Sequence, residues 1–159
     1  MPFKIPKHLA RELACWNNGS GISLQEWVGC VGNFDLAVGY STVFWPTFEV
    51  VGDYLLTDGW TEEAIKGFEK LSNSTPKSVE WVLNHLHLID IHASSDVEPT
   101  VEHLLRLGET LKEIYSAKLN WQFPNRPCKV EFYIPEDADD LVGYQISFWQ
   151  KKWPDDPNT

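Results

Sequence analysis

The residues most able to do chemistry lie in the stretch VLNHLHLIDIHAS, residues 82–94, where three of the chain's five histidines fall within eight positions. On a helix, His85 and His87 would point about 200° apart, and His92 would lie roughly 10.5 Å along the axis from His85. On a strand, His85 and His87 would share a face and could bind zinc together, with Asp90 out of phase. The apolar spacing favours a helix. We therefore predict no metal and no cofactor.

Aromatic residues are the second unusual feature, since the chain has eight tryptophans. One stretch holds Trp27, Phe34, Tyr40, Phe44, Trp45, Phe48, Tyr54 and Trp60. Large rings bury much apolar area, so most of them are expected in the core. Trp45 and Trp60 are the best candidates to line an exposed groove or a protein interface.

These aromatic residues define the candidate binding site for a partner or a ligand. Its predicted members are Trp45, Trp60, Tyr40, Glu49, Asp53 and Asp58. A shallow patch rimmed by the three carboxylates would indicate a protein interface. A deep cavity into which polar groups converge would indicate a substrate pocket instead, with Asn33, Asp35, Tyr40 or Ser41 as candidates. The patch is the favoured alternative.

Catalytic motifs with a local signature are missing from the sequence. There is no phosphate-binding glycine loop, no nucleophile elbow and no zinc-protease motif. Glu49 and Asp53 would share a strand face only if Gly52 does not bulge the strand, and a solvated face is the simpler explanation. We predict no catalytic residues and expect a protein that is not an enzyme, with the enzyme class kept as an alternative.

Charge and cysteine usage restrict the partners and the compartment. The 159 residues carry a net charge of −10, which repels nucleic acid and anionic lipid and favours a basic partner. Cys15, Cys30 and Cys128 are odd in number and widely spaced, so we expect reduced thiols buried in the core. No signal peptide or membrane-spanning run is recognisable, and we predict a cytoplasmic protein without membrane or nucleic-acid partners.

The first third of the chain is predicted to be helical. One helix follows Pro6 and stops at the sequence NNGSG, and a second begins at the capping box of Ser23 and Glu26 and ends at Gly32. Residues 33–45 fit a helix or a strand, and helix is favoured.

The rest of the chain mixes both types of element. We predict one strand over Phe48–Leu56, with Gly52 marking a bulge or a close approach of another backbone. Helices are predicted to begin at Thr61 and at Thr75, the latter reaching Ile89. A long helix is predicted from about residue 99 to 118. Beyond it, alternating patterns around residues 130–134 and 144–148 predict paired antiparallel strands.

These elements predict an α+β fold. The expected architecture is a mainly helical N-terminal two-thirds beside a small antiparallel β-sheet that includes a C-terminal strand pair, and the strand near residue 50 could join that sheet. We expect a single domain over residues 1–153 and a disordered tail over 154–159.

The leading functional hypothesis is a small acidic cytosolic protein-binding module that captures a basic partner. Its composition is similar to that of small acidic bacterial binding proteins, among them immunity proteins that neutralise basic toxins, but no residues correspond. Two alternatives remain: a small-molecule-binding domain or enzyme with an aromatic-lined pocket, and a structural subunit of a homo-oligomer.

Overall fold

The computed structural model describes residues 5–94 and 96–154, which form six α-helices and five β-strands. The predicted α+β class is confirmed. The chain divides into two compact units, Met1–Ser41 and Thr42–Thr159, and each is described by itself. The single-domain assignment stays a prediction, and the predicted tail lies, apart from Pro154, outside the described residues.

The first unit contains helices α1 (Lys7–Cys15) and α2 (Leu24–Val31) and the start of α3 (Phe34–Phe44). Between α1 and α2 the chain turns at Asn17 and Asn18, whose φ angles are 53° and 55°. Asparagine tolerates this left-handed conformation better than most residues, so the predicted helix stop is confirmed.

Helix α2 begins with the predicted capping box. The backbone N–H of Glu26 donates to the Ser23 hydroxyl at 3.2 Å, and the N–H of Ser23 donates to the Glu26 carboxylate at 2.7 Å. Two N–H groups that a helix start leaves unpaired are thereby satisfied. The helical interpretation of residues 33–45 is also confirmed, since α3 occupies most of that range.

The second unit opens with a β-hairpin, so the prediction of a single strand over Phe48–Leu56 is wrong. Strands β1 (Phe48–Val51) and β2 (Tyr54–Thr57) pair antiparallel, with Val51 opposite Tyr54. Gly52 has a φ of 61° and is the first residue of a two-residue turn. Such turns match the twist of a hairpin and require a positive φ that glycine adopts without strain. Gly52 therefore reverses the chain instead of bulging a strand.

Two capped helices follow the hairpin, as predicted. Helix α4 (Glu62–Glu69) is capped by Thr61, and α5 (Pro76–Leu83) by a box of Thr75 and Ser78. Helix α5 ends at Leu83, however, and the prediction that it reaches Ile89 is wrong. Strand β3 (Leu86–His87) and a 3-10 segment (Leu88–His92) come next.

The C-terminal elements form the second sheet. Helix α6 spans Val101–Gln122, longer than predicted, and precedes β4 (Cys128–Tyr133) and β5 (Gln145–Gln150). Strands β4 and β5 pair antiparallel, which confirms the predicted strand pair. The strand order is β3-β5-β4, and the β1–β2 hairpin forms a separate two-stranded sheet, so the expectation that the strand near residue 50 could join the C-terminal sheet is wrong.

The core of the second unit lies between α6 and the sheet of β3, β5 and β4. Leu111, Ile146 and Phe148 have no exposed surface, and Phe48 from the hairpin contacts the Phe148 ring edge-on with 5.0 Å between centroids. This edge-to-face contact connects the hairpin to the main core. None of the helices described has the length and apolar character needed to cross a membrane.

Gly108 marks the closest contact between α6 and β4. A Cβ atom built there would lie 2.2 Å from two atoms of the Phe132 ring. We therefore expect Gly108→Ala to lower the free energy of unfolding by about 1–3 kcal/mol, because a packed ring must move. Urea denaturation checks this value. Gly67→Ala in α4, where nothing lies within 4 Å of the added Cβ, is the control and should stabilise by about 0.5–1 kcal/mol. Equal effects of the two substitutions would contradict the packing argument.

Candidate protein-binding site

Two exposed tryptophans form the main surface feature of the second unit. Trp45, just before β1, is 51% exposed, and Trp121, in the last turn of α6, is 71% exposed. Their ring centroids are 6.4 Å apart, within the range of aromatic contacts. Large rings in such exposed positions are typical of the residues that anchor protein interfaces. We call Trp45 and Trp121 the tryptophan pair.

Helix α6 holds the chain at Trp45 through two buried polar side chains. The Lys118 ammonium donates to the carbonyl oxygens of Trp45 at 3.2 Å and Pro46 at 2.6 Å. The Tyr115 hydroxyl donates to the Val43 carbonyl at 3.0 Å. The Val43 carbonyl lies in the last turn of α3, and those of Trp45 and Pro46 come just after it. Partial negative charge accumulates at this end of a helix and favours a cation. The backbone next to the tryptophan pair is therefore fixed before any partner binds.

Lys118 also contacts the rings of Trp45 and Phe48. Its Nζ lies 4.7 Å from the centroid of the Trp45 ring and 5.6 Å from that of Phe48, close enough for cation–π attraction. Burial lowers the pKa of Lys118, because an ammonium loses hydration there. The lysine thus supports the Trp45 ring, which remains half-exposed.

Trp121 and Lys118 were not among the residues predicted from the sequence. Trp121 lies six residues after the buried Tyr115, which is about 120° around the helix and therefore away from the centre of the apolar stripe. A tryptophan in that position, flanked by the polar Asn120 and Gln122, is a signal that could have indicated an exposed ring.

The predicted member Trp60 is half-buried and already bonded. Its indole N–H donates to the Glu49 carboxylate at 3.1 Å. This hydrogen bond connects the segment after β2 to strand β1. Trp60 therefore has less apolar surface to offer than Trp45. Glu49 itself remains exposed.

The three other predicted members lie in different surroundings. Asp58 accepts a hydrogen bond from the N–H of Gly59 at 2.8 Å in the loop after β2. Asp53 lies in the hairpin turn, 3.5 Å from the Lys152 ammonium, and not on a strand beside Glu49. Tyr40 belongs to the first unit. That the six predicted residues form one binding surface therefore stays a prediction.

A buried carboxylate connects the hairpin to the main sheet. Glu80 of α5 has no exposed surface. It accepts from the N–H of Leu55 in β2 at 2.8 Å and from the N–H of Gln150 in β5 at 2.7 Å, and the Gln150 side-chain amide also donates to it. Both carboxylate oxygens are therefore used in a buried position, where an unpaired one would be costly.

Asn84, one turn after Glu80, repeats this connection. Its side-chain amide donates to the carbonyls of Leu55 at 3.0 Å and Phe148 at 3.1 Å, and its oxygen accepts from the N–H of Thr57 at 2.8 Å. Helix α5 thus positions the hairpin on which Glu49 and Asp53 lie.

The histidine stretch differs from its prediction. His85 directly precedes β3 and His87 is its last residue. Their ring centroids are 5.1 Å apart, at an interplanar angle of 90°. The helical interpretation that separated them is therefore wrong. Among residues 5–94 and 96–154, no three His, Cys, Asp or Glu side chains come together in a way that could hold a metal ion.

Two clefts of the second unit are smaller than typical small-molecule sites. One, of about 240 Å³, is lined by Asn125, Arg126, Pro127, Gln150 and Lys152. The other, of about 270 Å³, lies between α6 and the 3-10 segment Leu88–His92 and is mainly apolar. Both volumes fall below the roughly 300–1,000 Å³ of small-molecule sites, and neither cleft is lined by an aromatic residue from the stretch that ends at Trp60.

The three cysteines are free, but Cys15 and Cys30 are exposed and only Cys128 is partly buried, so the prediction that all three lie in the core is wrong. Burial, together with the negative charge of Glu80, raises the pKa of Cys128 to about 12. Because the thiolate is the reactive form, we expect Cys128 in the folded protein to react with iodoacetamide at pH 8 at least about a hundredfold more slowly than the exposed Cys15 and Cys30.

Mass spectrometry of the alkylated protein checks this order of reaction. Unfolding in urea should make all three thiols react alike, which is the internal control. Rapid alkylation of Cys128 in the folded protein would contradict the burial of this thiol.

No family model, no curated protein and no solved structure matches this chain. The candidate site is therefore defined by its own geometry: an exposed tryptophan pair, a fixed backbone at Trp45, and an acidic hairpin that follows Trp45 in the chain.

Proposed function

We propose that this chain is a protein-binding module and that the tryptophan pair anchors a basic partner protein. The observation that supports this most strongly is the pair itself, two large exposed rings over a backbone that Lys118 and Tyr115 hold in place. A surface ordered before binding loses little conformational entropy when the partner docks. Exposed aromatic residues on such a surface are typical interface hot spots.

The distribution of charge supports a basic partner. Residues 1–41 contain three acidic and three basic side chains, so the net charge of −10 falls on residues 42–159. Between residues 46 and 65, which include the hairpin, there are five carboxylates and no lysine or arginine. The loop over residues 136–140 adds four exposed carboxylates. A surface of this kind attracts cationic proteins over distance and suppresses acidic ones.

Affinity capture with a matched set of variants tests the proposal. Immobilised wild-type protein is compared with the double variant Trp45→Ala/Trp121→Ala and with Tyr133→Ala, which removes an aromatic ring of similar exposure at the end of β4. We expect one basic protein to be retained in near-stoichiometric amount by the wild type and by Tyr133→Ala, and to be lost from the double variant. Equal retention by all three proteins would contradict the assignment of the site.

A second candidate function, a subunit of a homo-oligomer, has its own supporting observation. In the first unit, Val28, Val31, Phe34, Leu36 and Val38 are exposed, and Phe34 is 91% exposed. We call these five residues the apolar patch, and apolar residues exposed in such number are typical of interaction surfaces.

A second copy of the chain fits this patch better than other occupants. Between residues 27 and 48 Asp35 is the one charged side chain, and residues 12–65 contain no lysine or arginine. A lipid-binding helix typically has basic residues on its polar face, and a basic protein would meet no carboxylate cluster here. Two uncharged patches can approach each other in a symmetric dimer without repulsion.

We therefore expect the wild-type protein to dimerise and Phe34→Ser to weaken the dimer at least about tenfold, because this ring is the largest exposed apolar group in the patch. Light scattering after gel filtration over a range of concentrations measures the effect. Val142→Ser, at an exposed valine of the second unit, is the control. A monomer at every concentration, whether or not it binds phosphatidylcholine vesicles, would contradict this candidate function.

A further inference from the structure

His85 and His87 have the backbone setting of a metal-binding pair. Helix α5 ends at Leu83, and the chain runs as strand β3 over Leu86–His87. Residues two apart on an extended chain point to the same face, and the two rings accordingly come into contact, with 5.1 Å between centroids. The strand arises from pairing with β5, in which Leu86 lies opposite Ile146 and His87 opposite Gln145.

Hydrogen bonds fix which ring nitrogens are available. The Nδ1 of His85 is bonded to the carbonyl oxygen of Val82, and the Nδ1 of His87 to that of Val142 at 2.7 Å. A carbonyl oxygen can only accept, so each Nδ1 carries the hydrogen. In the neutral ring, Nε2 is then unprotonated and has a lone pair. Histidines that bind metals are oriented in this way by backbone carbonyls.

The spacing of the rings is also suitable. Two imidazoles that bind one tetrahedral ion through nitrogens about 2.0–2.1 Å from it have ring centres roughly 5 Å apart. The observed 5.1 Å agrees with that value. His85 is exposed and His87 half-buried, so the pair is open to solvent. The Trp81 ring stacks on His85 at 6.3 Å between centroids and restricts its position.

We propose that His85 and His87 together bind one divalent transition-metal ion through their Nε2 atoms. Imidazole ligands suit Zn²⁺, Cu²⁺ and Ni²⁺. Because no group of three candidate ligands forms among the described residues, water completes the coordination and leaves positions that an external ligand could take. The site is separate from the tryptophan pair and does not depend on the proposed function.

Titration with Zn²⁺ tests the proposal. Isothermal calorimetry compares the wild type with His85→Gln, His87→Gln and His92→Gln, the last as a control from the same segment. We expect one Zn²⁺ per chain, an affinity at least about tenfold weaker in either variant of the pair, and no change in the control, because two ligands bind far better than one.

A spectroscopic measurement on the wild type guards against misfolding of a variant. Added Zn²⁺ should shift the NMR signals of the His85 and His87 rings and leave those of His92 unchanged. Absence of binding at about 1 mM Zn²⁺, unchanged binding in His87→Gln, or shifts confined to other histidines would each overturn the proposal.

Discussion

Replacement of both members of the tryptophan pair by alanine is expected to weaken binding of the partner by at least about 30-fold per residue, since a hot-spot side chain contributes about 2 kcal/mol or more. The loss should appear mainly in the dissociation rate, because contacts formed after docking govern how long a complex lasts. Surface plasmon resonance with the captured partner measures both rates. Trp60→Phe is the comparison, since this half-buried ring is already bonded to Glu49.

The double variant Trp45→Ala/Trp121→Ala should fold like the wild type. Trp121 is 71% exposed, and Trp45 is half-exposed, so the free energy of unfolding should change far less than the affinity. A variant that keeps full affinity would contradict the role of the tryptophan pair, and a variant that loses affinity and stability together would indicate an indirect effect.

Glu80→Ala is expected to lower the free energy of unfolding by about 4 kcal/mol. The substitution leaves the N–H groups of Leu55 and Gln150 without their acceptor, and each buried unpaired group costs about 1–3 kcal/mol. The hairpin would also lose one of its connections to β5. Urea denaturation followed by tryptophan fluorescence measures the change.

Two further variants separate the role of Glu80 from a general effect of removing charge. Glu113→Ala removes an exposed carboxylate of α6 and should change stability by less than about 0.5 kcal/mol. Glu80→Gln keeps the shape and one acceptor oxygen but turns an amide N–H₂ toward a backbone donor, so an intermediate loss is expected. A Glu80→Ala protein as stable as the Glu113→Ala protein would show that the network contributes nothing.

The elements predicted correctly from the sequence are those that local chemistry determines. The capping box at Ser23 and the helix start at Thr75 depend only on residues close together in the chain, and so they can be recognised without the fold. The pairing of β4 with β5 follows from alternating side chains on each strand.

The errors occur where distant residues determine the structure. Residues 84–89 continue the helical spacing of α5, yet Asn84 bonds to Leu55 and Phe148, and Leu86 pairs with Ile146. These contacts join parts of the chain that no local pattern connects, and they override helix propensity. The contact between His85 and His87 depends on the same pairing.

The candidate site was predictable only in part for a similar reason. Aromatic density indicated Trp45, but its neighbour Trp121 comes from a helix 76 positions further along the chain. Trp60 was equally prominent in sequence, and its bond to Glu49 is visible only in the folded hairpin. Exposure of a given ring depends on which elements fold over it, and composition does not specify that.

The most direct test of the proposed function is the salt dependence of association with the captured partner. Between ionic strengths of about 0.01 M and 0.15 M the screening length falls from about 30 Å to about 8 Å. Salt then screens the attraction between the acidic module and its basic partner. Association should therefore slow by about tenfold or more, while dissociation changes little. A partner whose association rate is insensitive to salt, and whose dissociation is the same for wild type and Trp45→Ala/Trp121→Ala, would contradict both the acidic surface and the tryptophan pair as the basis of binding.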